Sequence, residues 1–376
     1  MTRPHRPARG LLALLAALCL LAAACGDDDA DTATSGAPVG DGTTDSTAAD
    51  DEPAEEVTIT LVTHDSFSVS DDVLEAFTDE TGITVELLAS GDAGSMLNQA
   101  ILTKGEPQGD VLFGVDSTFL SRALDEDLFV PYESPALADV EESLVLDPEH
   151  RATPIDTGDV CLNYDKAGLE QRGLEPPEGL EDLTDPAYAG TLVVENPATS
   201  SPGLAFLLAT VAEFGEDGWQ DYWRRLAEQD VEVAAGWEEA YYGSFSGAAG
   251  SSGDRPVVVS YASSPPAEVI FAEEPLDEAP TGVVEASCYR QIEFAGILAG
   301  TEHEEAAQQL IDFMLSPRFQ EDIPLNMFVY PVTDVELPPE FVEYGVQPED
   351  PYLLDADAVA AGRDAWIEEW TDIVLR

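Results

Sequence analysis

Few residues of this 376-residue chain are equipped to make or break a bond. Past the first 25 residues its histidines are His64, His150 and His303, in unrelated contexts and without the HExxH spacing of a metal site. Gly243-Ser-Phe-Ser-Gly247 puts phenylalanine where a nucleophile elbow needs serine, and no phosphate loop or dinucleotide fingerprint occurs. With 76 acidic residues, carboxylate pairs arise by chance, so their spacing points to no acid–base couple. What recurs instead are short polar and aromatic segments suited to holding a molecule: His64-Asp65-Ser66, Asp92-Ala93-Gly94, Asp116-Ser117, Ser200-Ser201, Gly236-Trp237 and Tyr261-Ala262-Ser263-Ser264. Hydroxyls beside a helix N-terminus suit a phosphate or another polar group. The faces of Trp237, Tyr261 and Phe328 suit a flat or cationic ring, to which Asp65, Asp92 or Asp116 adds a carboxylate. Plainer readings stand beside these. Ser200-Ser201-Pro202 also reads as a helix cap and Trp237 as core. Tyr241-Tyr242 reads as packing or, with His64, as a ferric-ion ligand set.

The elements that must position these segments alternate. Residues 57–63 are β-branched and alternating, a strand. Residues 71–81 carry Val73, Leu74 and Phe77 at helical spacing and stop at Gly82. Strands at 83–88 and 110–115 and helices at 95–103 and 119–126 complete a βαβαβ unit, which argues for a parallel, doubly wound α/β sheet. A second region follows, with strands at 155–164, 191–194, 231–233, 256–260 and 286–294. Its helices are expected at 204–214, 218–228, 304–315 and 357–374. Residues 243–254 read as a small-residue loop and 335–355 as an extended crossing segment. In the last helix Val359, Arg363, Trp366, Ile367, Trp370 and Val374 share one side and read as core anchors. The candidate segments fall at strand ends, where open α/β sheets form their ligand crevice.

The chain begins with Arg3, Arg6 and Arg9, an apolar run at 11–21, and Leu21-Ala22-Ala23-Ala24-Cys25. That is an export signal, too short for a comfortable membrane span, with the cysteine placed as a lipid acceptor. The expected organisation is a signal peptide at 1–24, a lipid on Cys25, and a disordered acidic tether through residue 56. The remaining length suits two lobes. The formal charge is −61; removing three arginines leaves 12 basic against 76 acidic side chains, −64. This excludes nucleic acid as a partner. It reads chiefly as surface adaptation and is compatible with a cationic ligand. Cys19 leaves with the signal and Cys25 takes the lipid, so Cys161 and Cys288 are expected to pair in an oxidising compartment. The segments at 155–161 and 286–293 bracket the middle region. As crossovers running side by side they bring Cys161 next to Cys288.

Eight pieces of the chain, in order, resemble the thiamine-binding substrate-binding proteins of ABC importers, within a larger group that includes ferric-ion binders. They are Thr63-His-Asp-Ser-Phe67, Asp110-Val-Leu-Phe-Gly-Val-Asp116, Ala198-Thr-Ser-Ser-Pro-Gly-Leu204, Gly236-Trp-Glu-Glu-Ala-Tyr241, Val259-Ser-Tyr-Ala-Ser-Ser-Pro265, Phe313-Met-Leu-Ser-Pro-Arg-Phe-Gln320, Ile323-Pro324 with Tyr330-Pro-Val332, and Trp366-Ile-Glu-Glu-Trp370. The resemblance implies a two-lobe, type II periplasmic-binding-protein-like fold, each lobe a doubly wound sheet, joined by two crossover strands. It divides the chain into 57–157 and 288–376 in one lobe and 158–287 in the other. It implies thiamine or its phosphates in the cleft, with Asp92 and Ala93 as a contact pair of the first lobe. Ser200 and Ser201 match hydroxyls on the phosphate side, Trp237 a tryptophan of the second lobe, Tyr261 through Ser264 a tyrosine-hydroxyl loop, and Phe328 an aromatic stacked on the pyrimidine. His64 stands where a tyrosine is frequent, Ala93 for a glycine, Phe328 for a tryptophan and Thr157 for a tyrosine. The implied molecule is a lipid-anchored monomer without cofactor. It passes its ligand to a permease whose ATPase is a separate subunit, and makes or breaks no bond itself. A ferric-iron binder of the same architecture and a secreted hydrolase are the alternatives.

Overall fold

The alternating, β-branched run Val57–Thr63 (β1) pairs in parallel with Ile83–Ala89 (β2) and Val111–Asp116 (β3). A second parallel triplet is formed by Leu192–Glu195 (β6), Glu232–Ala234 (β7) and Val257–Tyr261 (β8), with β6 in the middle. Between the triplets run two long antiparallel strands, Thr153–Asp165 (β5) and Thr281–Leu298 (β9). The computed structural model that shows this describes residues 57–376 apart from Glu273. The expected signal segment, the lipid acceptor Cys25 and the acidic tether lie outside those residues. The whole is one sheet in the order β2-β1-β3-β9-β5-β8-β6-β7, with Phe129–Val130 (β4) on β9 and Tyr330–Pro331 (β10) on β5. The α/β class and the parallel units expected from the alternation are present.

β5 and β9 hold the two triplets together. Their register slips between Val160 and Leu162, and there Cys161 is joined to Cys288 by a disulfide with an S–S distance of 2.01 Å. The helix Ser201–Phe214 is apolar on every side and buried from Ser201 to Val211, as a helix must be when sheet and helices cover all its faces. Trp223 of the helix Trp219–Glu228 packs edge-on against Phe206 at 5.7 Å and against Trp370 of the C-terminal helix Ala356–Val374 at 5.4 Å. The tryptophan side of that last helix is core, as its spacing predicts.

Three expectations change. β9 runs well beyond residues 286–294 at both ends, because it pairs with β5 along its length and with β3 and β4 beyond. The segment at 335–355 is not extended throughout: Pro339–Tyr344 is a helix started by its proline, and its Phe341 is buried against Phe328 and Tyr330. The loop expected at 243–254 begins two residues later, because Glu239–Ser244 forms a single wide helical turn.

Candidate functional site

The carboxyl ends of β3 and β8 meet the middle of the central pair. Asp116 lies opposite Glu293 of β9, and Tyr261 opposite Val160 of β5. β1 ends beside them at Thr63 and delivers His64. A cavity of about 270 Å³ opens at this convergence, at the small end of ligand sites.

His64 forms one wall. Its Nδ1 is 3.0 Å from Ser66 Oγ and its Nε2 is 3.7 Å from Glu293 Oε1. Gly114, at φ +105°, makes room for the ring; a Cβ there would lie 2.3 Å from His64 Cδ2. Burial pulls the imidazole pKa down to about 4, so the ring is neutral at physiological pH. Burial, and next the neighbouring Asp156, push the Glu293 carboxyl well above the usual carboxylate range. Asp65 and Glu238 bring exposed carboxylates to the same cavity.

Aromatic faces make the opposite walls. Trp237 stacks on Tyr241 at 5.0 Å with planes 20° apart, and its indole N–H donates to Ser260 Oγ at 2.9 Å. Tyr261 stands 6.3 Å from Trp237. Phe328 occupies the left-handed region at φ 55°, a conformation that costs a bulky residue free energy and clusters at functional sites. It is held there by Ser263 Oγ, which donates to its carbonyl at 2.6 Å, and by Phe341, stacked at 6.1 Å.

Of the residues singled out in the sequence, His64, Asp65, Trp237, Tyr261, Ser264 and Phe328 line this cavity. Asp92, Ala93, Asp116, Ser200, Ser201, Ala262 and Ser263 do not. Asp92 caps the helix Ala93–Leu102, accepting from Ala93 N at 2.7 Å. It also reaches across to the other half of the sheet, accepting from Ser201 N at 3.3 Å and Trp237 N at 2.9 Å. Three amides occupy this carboxylate, which is why it does not face the cavity. Asp116 is likewise turned onto Thr118 and Phe119. Burial raises both aspartates to about 6. Ser200 makes no side-chain cap bond; its hydroxyl and that of Ser201 are buried without a partner, as are Asp116 Oδ2 and both oxygens of Glu195. Ala93 is the buried first residue of its helix. Ala262 is structural, its N–H bonded to Asp159 O and its carbonyl to Val346 N. Of the ferric ligand set, Tyr242 and His64 face the cavity, but the Tyr241 hydroxyl donates to Glu268 at 2.8 Å and does not reach it.

Glu293 was not foreseen. A signal exists in the sequence: it is the one charged residue of Ile292-Glu-Phe-Ala-Gly-Ile-Leu298, and a buried strand seldom keeps a charge without use.

The sequence matches the bacterial extracellular solute-binding protein family over residues 107–345. The thiamine-binding periplasmic protein of Escherichia coli (strain K12) is 32% identical over 85% of this chain and 94% of its own length. The thiamine-binding periplasmic protein of Brucella suis is 28% identical over 83% and 91%. A solved periplasmic thiamin binding protein superposes with a TM-score of 0.74 at 31% identity, covering 85% of this chain and 96% of its own. Iron-bound HitA from Pseudomonas aeruginosa superposes at 0.66 with 21% identity, over 84% and 99%, a likeness of fold alone. These neighbours share the two-lobe, type II periplasmic-binding-protein fold, and the matched family binds solutes and is not an enzyme family. A cavity walled by rings and carboxyls on that fold places the chain where its sequence does, and it belongs to the bacterial extracellular solute-binding proteins.

Proposed function

We propose that this chain captures thiamine outside the cytoplasm and delivers it unaltered to an ABC importer. The observation that carries this is the composition of the cavity: Trp237, Tyr261 and Phe328 around a space that also receives Asp65, Glu238 and Glu293. Thiamine has a flat pyrimidine and a permanently cationic thiazolium. Aromatic faces attract such a cation by about 0.5–2 kcal/mol each, and carboxylates add to that. The names and identities of the relatives support the same ligand. The buried hydroxyls of Ser200 and Ser201, without a hydrogen-bond partner, support a polar contact made as the lobes close. Asp92 stands beside the Ser200 hydroxyl and Asp116 beside that of Ser201, and this pair of carboxylates favours free thiamine over its phosphates.

The lobes are 57–157 with 288–376, and 158–287. In support, β5 pairs with β10 at Asp156 and Thr157 but with β8 from Val160 onward. The chain works as a monomer, carries no cofactor, makes or breaks no bond, and is held to the extracytoplasmic membrane face by a lipid on Cys25 after loss of residues 1–24. The support for the anchor is the Leu21-Ala-Ala-Ala-Cys25 pattern.

The test is thermal melting of the mature protein against thiamine, its mono- and diphosphate, and Fe(III). A ligand at one hundred times its Kd adds about 2.7 kcal/mol of stability. Thiamine is expected to raise the midpoint and Fe(III) to leave it unchanged. No shift with any thiamine species overturns the assignment.

A further inference from the structure

Three neighbouring strands bring three acids onto one rung of the sheet. Asp116 of β3 is the register partner of Glu293, and Glu293 is in turn the register partner of Asp156 on β5. Residues directly opposite share a face, with Cβ atoms about 5 Å apart, and like charges so placed are destabilising. All three are buried, at 0%, 7% and 0% exposure. Among the described residues no lysine or arginine forms an ion pair with any of them, and the one basic side chain in reach, His64, is neutral. No N–H or hydroxyl donor bonds either oxygen of Asp156, and the polar group beside it is the Glu293 carboxyl across the β5–β9 pair. An uncompensated row of carboxyls under a sheet is a liability for folding. Of the three, Glu293 lines the ligand cavity, and Asp116 and Asp156 stand beside it in the sheet.

Two carboxyls in contact, Glu293 and Asp156, cannot both ionise at neutral pH and hold a proton between them. Consistent with this, burial raises Asp156 to about 7, and burial with the charges of Asp156, Asp116 and Asp92 raises Glu293 well above the usual carboxylate range. The other titratable groups facing this point are His64, Tyr261, Asp65 and Glu238.

Resting on the thiamine assignment, we propose that the Asp116–Glu293–Asp156 rung is the counter-charge for the ligand's cationic ring, and that the proton held by Glu293 and Asp156 in the empty site leaves as the cation enters. One positive charge replaces another. The proton passes from the Glu293 carboxyl to water in the open cavity, and the site's net charge does not change. The rung selects for a permanent cation over a neutral molecule of the same shape.

The experiment is calorimetric titration of ligand-free mature protein between pH 5.5 and 8, in pairs of buffers with different ionisation enthalpies. The ligands are thiamine and its neutral isostere with thiophene in place of thiazolium. Thiamine binding is expected to release close to one proton below about pH 7 and to tighten by up to about tenfold per pH unit there. The isostere is expected to bind at least about thirtyfold more weakly at pH 7.5 and without pH dependence. Glu293→Gln is expected to lose most of the discrimination between the two compounds and to raise the melting midpoint of the empty protein. Asp156→Asn, the second variant, is expected to lose the proton release and to weaken the discrimination less than Glu293→Gln does, because Glu293 is the member of the rung that lines the cavity. Thiamine binding without proton release, or equal affinity for both compounds, overturns the proposal alone. No heat with either compound on the wild-type protein overturns the thiamine assignment and this proposal with it.

Discussion

Asp92 resembles a ligand contact in sequence, yet in the structure it is a clasp. Replacing it with alanine separates the two roles. The carboxylate accepts from Ser201 N at 3.3 Å and Trp237 N at 2.9 Å, both on the half of the sheet opposite its own. Gly236 presses so close that a Cβ there would lie 2.8 Å from Asp92 Oδ2, so little water can replace the lost acceptor while the halves stay together. Each buried amide left without a partner costs about 1–3 kcal/mol. Separation of the lobes returns both amides to water. Two amides therefore penalise the closed arrangement by about 3 kcal/mol, and relief from burying a carboxyl that is pushed up to about 6 lowers that to about 2 kcal/mol. The closed-to-open equilibrium constant falls by about thirtyfold, and the apparent Kd for thiamine rises by up to that factor. Calorimetry measures the Kd, and small-angle scattering of the ligand-free protein reads the opening. Unchanged affinity in Asp92→Ala refutes the clasp. Lost affinity with an unchanged scattering profile also refutes it, and makes Asp92 a direct contact instead.

Trp237→Ala removes a stacked face and the bond to Ser260, and is expected to weaken thiamine by at least about tenfold while the melting midpoint of the empty protein moves little, read by calorimetry and circular dichroism. Replacing Cys161 and Cys288 by serine opens a link across 127 residues, and chemical denaturation is expected to show a loss of about 2–5 kcal/mol. Thiamine is expected to bind more tightly than its diphosphate by calorimetry, because the carboxylates of Asp92 and Asp116 beside Ser200 and Ser201 repel phosphate. Stability of the empty protein falls as pH rises from about 4 to about 7. Asp92, Asp116 and Asp156 keep their protons longer folded than unfolded across that window, and His64, lowered to about 4, opposes them with one group only. Denaturation at pH 5.5 and pH 8 checks the sign.

The pattern of residues reveals the scaffold more readily than the site. The run at 57–63 becomes β1 as written, because alternation and β-branching are local properties. The helix beginning at Ser201 and the tryptophan side of the C-terminal helix are equally local. Trp237, Tyr261 and Phe328 were visible as aromatics at element ends. What they face depends on contacts across the fold, which no local pattern carries. Glu293 escaped notice because its partners are Asp116 and Asp156, 177 and 137 positions away, and only strand register joins them. The bonds from Asp92 to the other half of the sheet are hidden for the same reason: its partners Ser201 and Trp237 lie more than 100 residues on. The helix Pro339–Tyr344 hides in a stretch rich in proline and acid, and it forms because Phe341 finds Phe328 and Tyr330 to pack against.

Several of the costs in this fold lie where a ligand can relieve them. Phe328 sits at a positive φ, the hydroxyls of Ser200 and Ser201 are buried without partners, and Glu195 is buried with neither carboxyl oxygen bonded. Each alone disfavours folding by about 1–3 kcal/mol. These surround the cavity or lie just behind its walls; other unpartnered groups, such as Trp219 Nε1, Tyr222 Oη and Trp370 Nε1, lie in the core around the Trp223–Trp370 contact, beyond the reach of a ligand. A receptor that must bind and then release has reason to keep such a balance. If the empty site were fully satisfied, ligand would gain little by entering; if ligand satisfied every group without strain, release would be slow. Relief of Phe328 therefore has an expected sign. Phe328→Gly, which tolerates φ 55° without strain, gains stability in the empty protein from the backbone and loses the ring that faces the ligand. Weaker thiamine binding together with an undiminished melting midpoint fits this balance. A fall in both, comparable to that of a buried core phenylalanine replaced by a small residue, contradicts it, and makes Phe328 part of the packing rather than of the site.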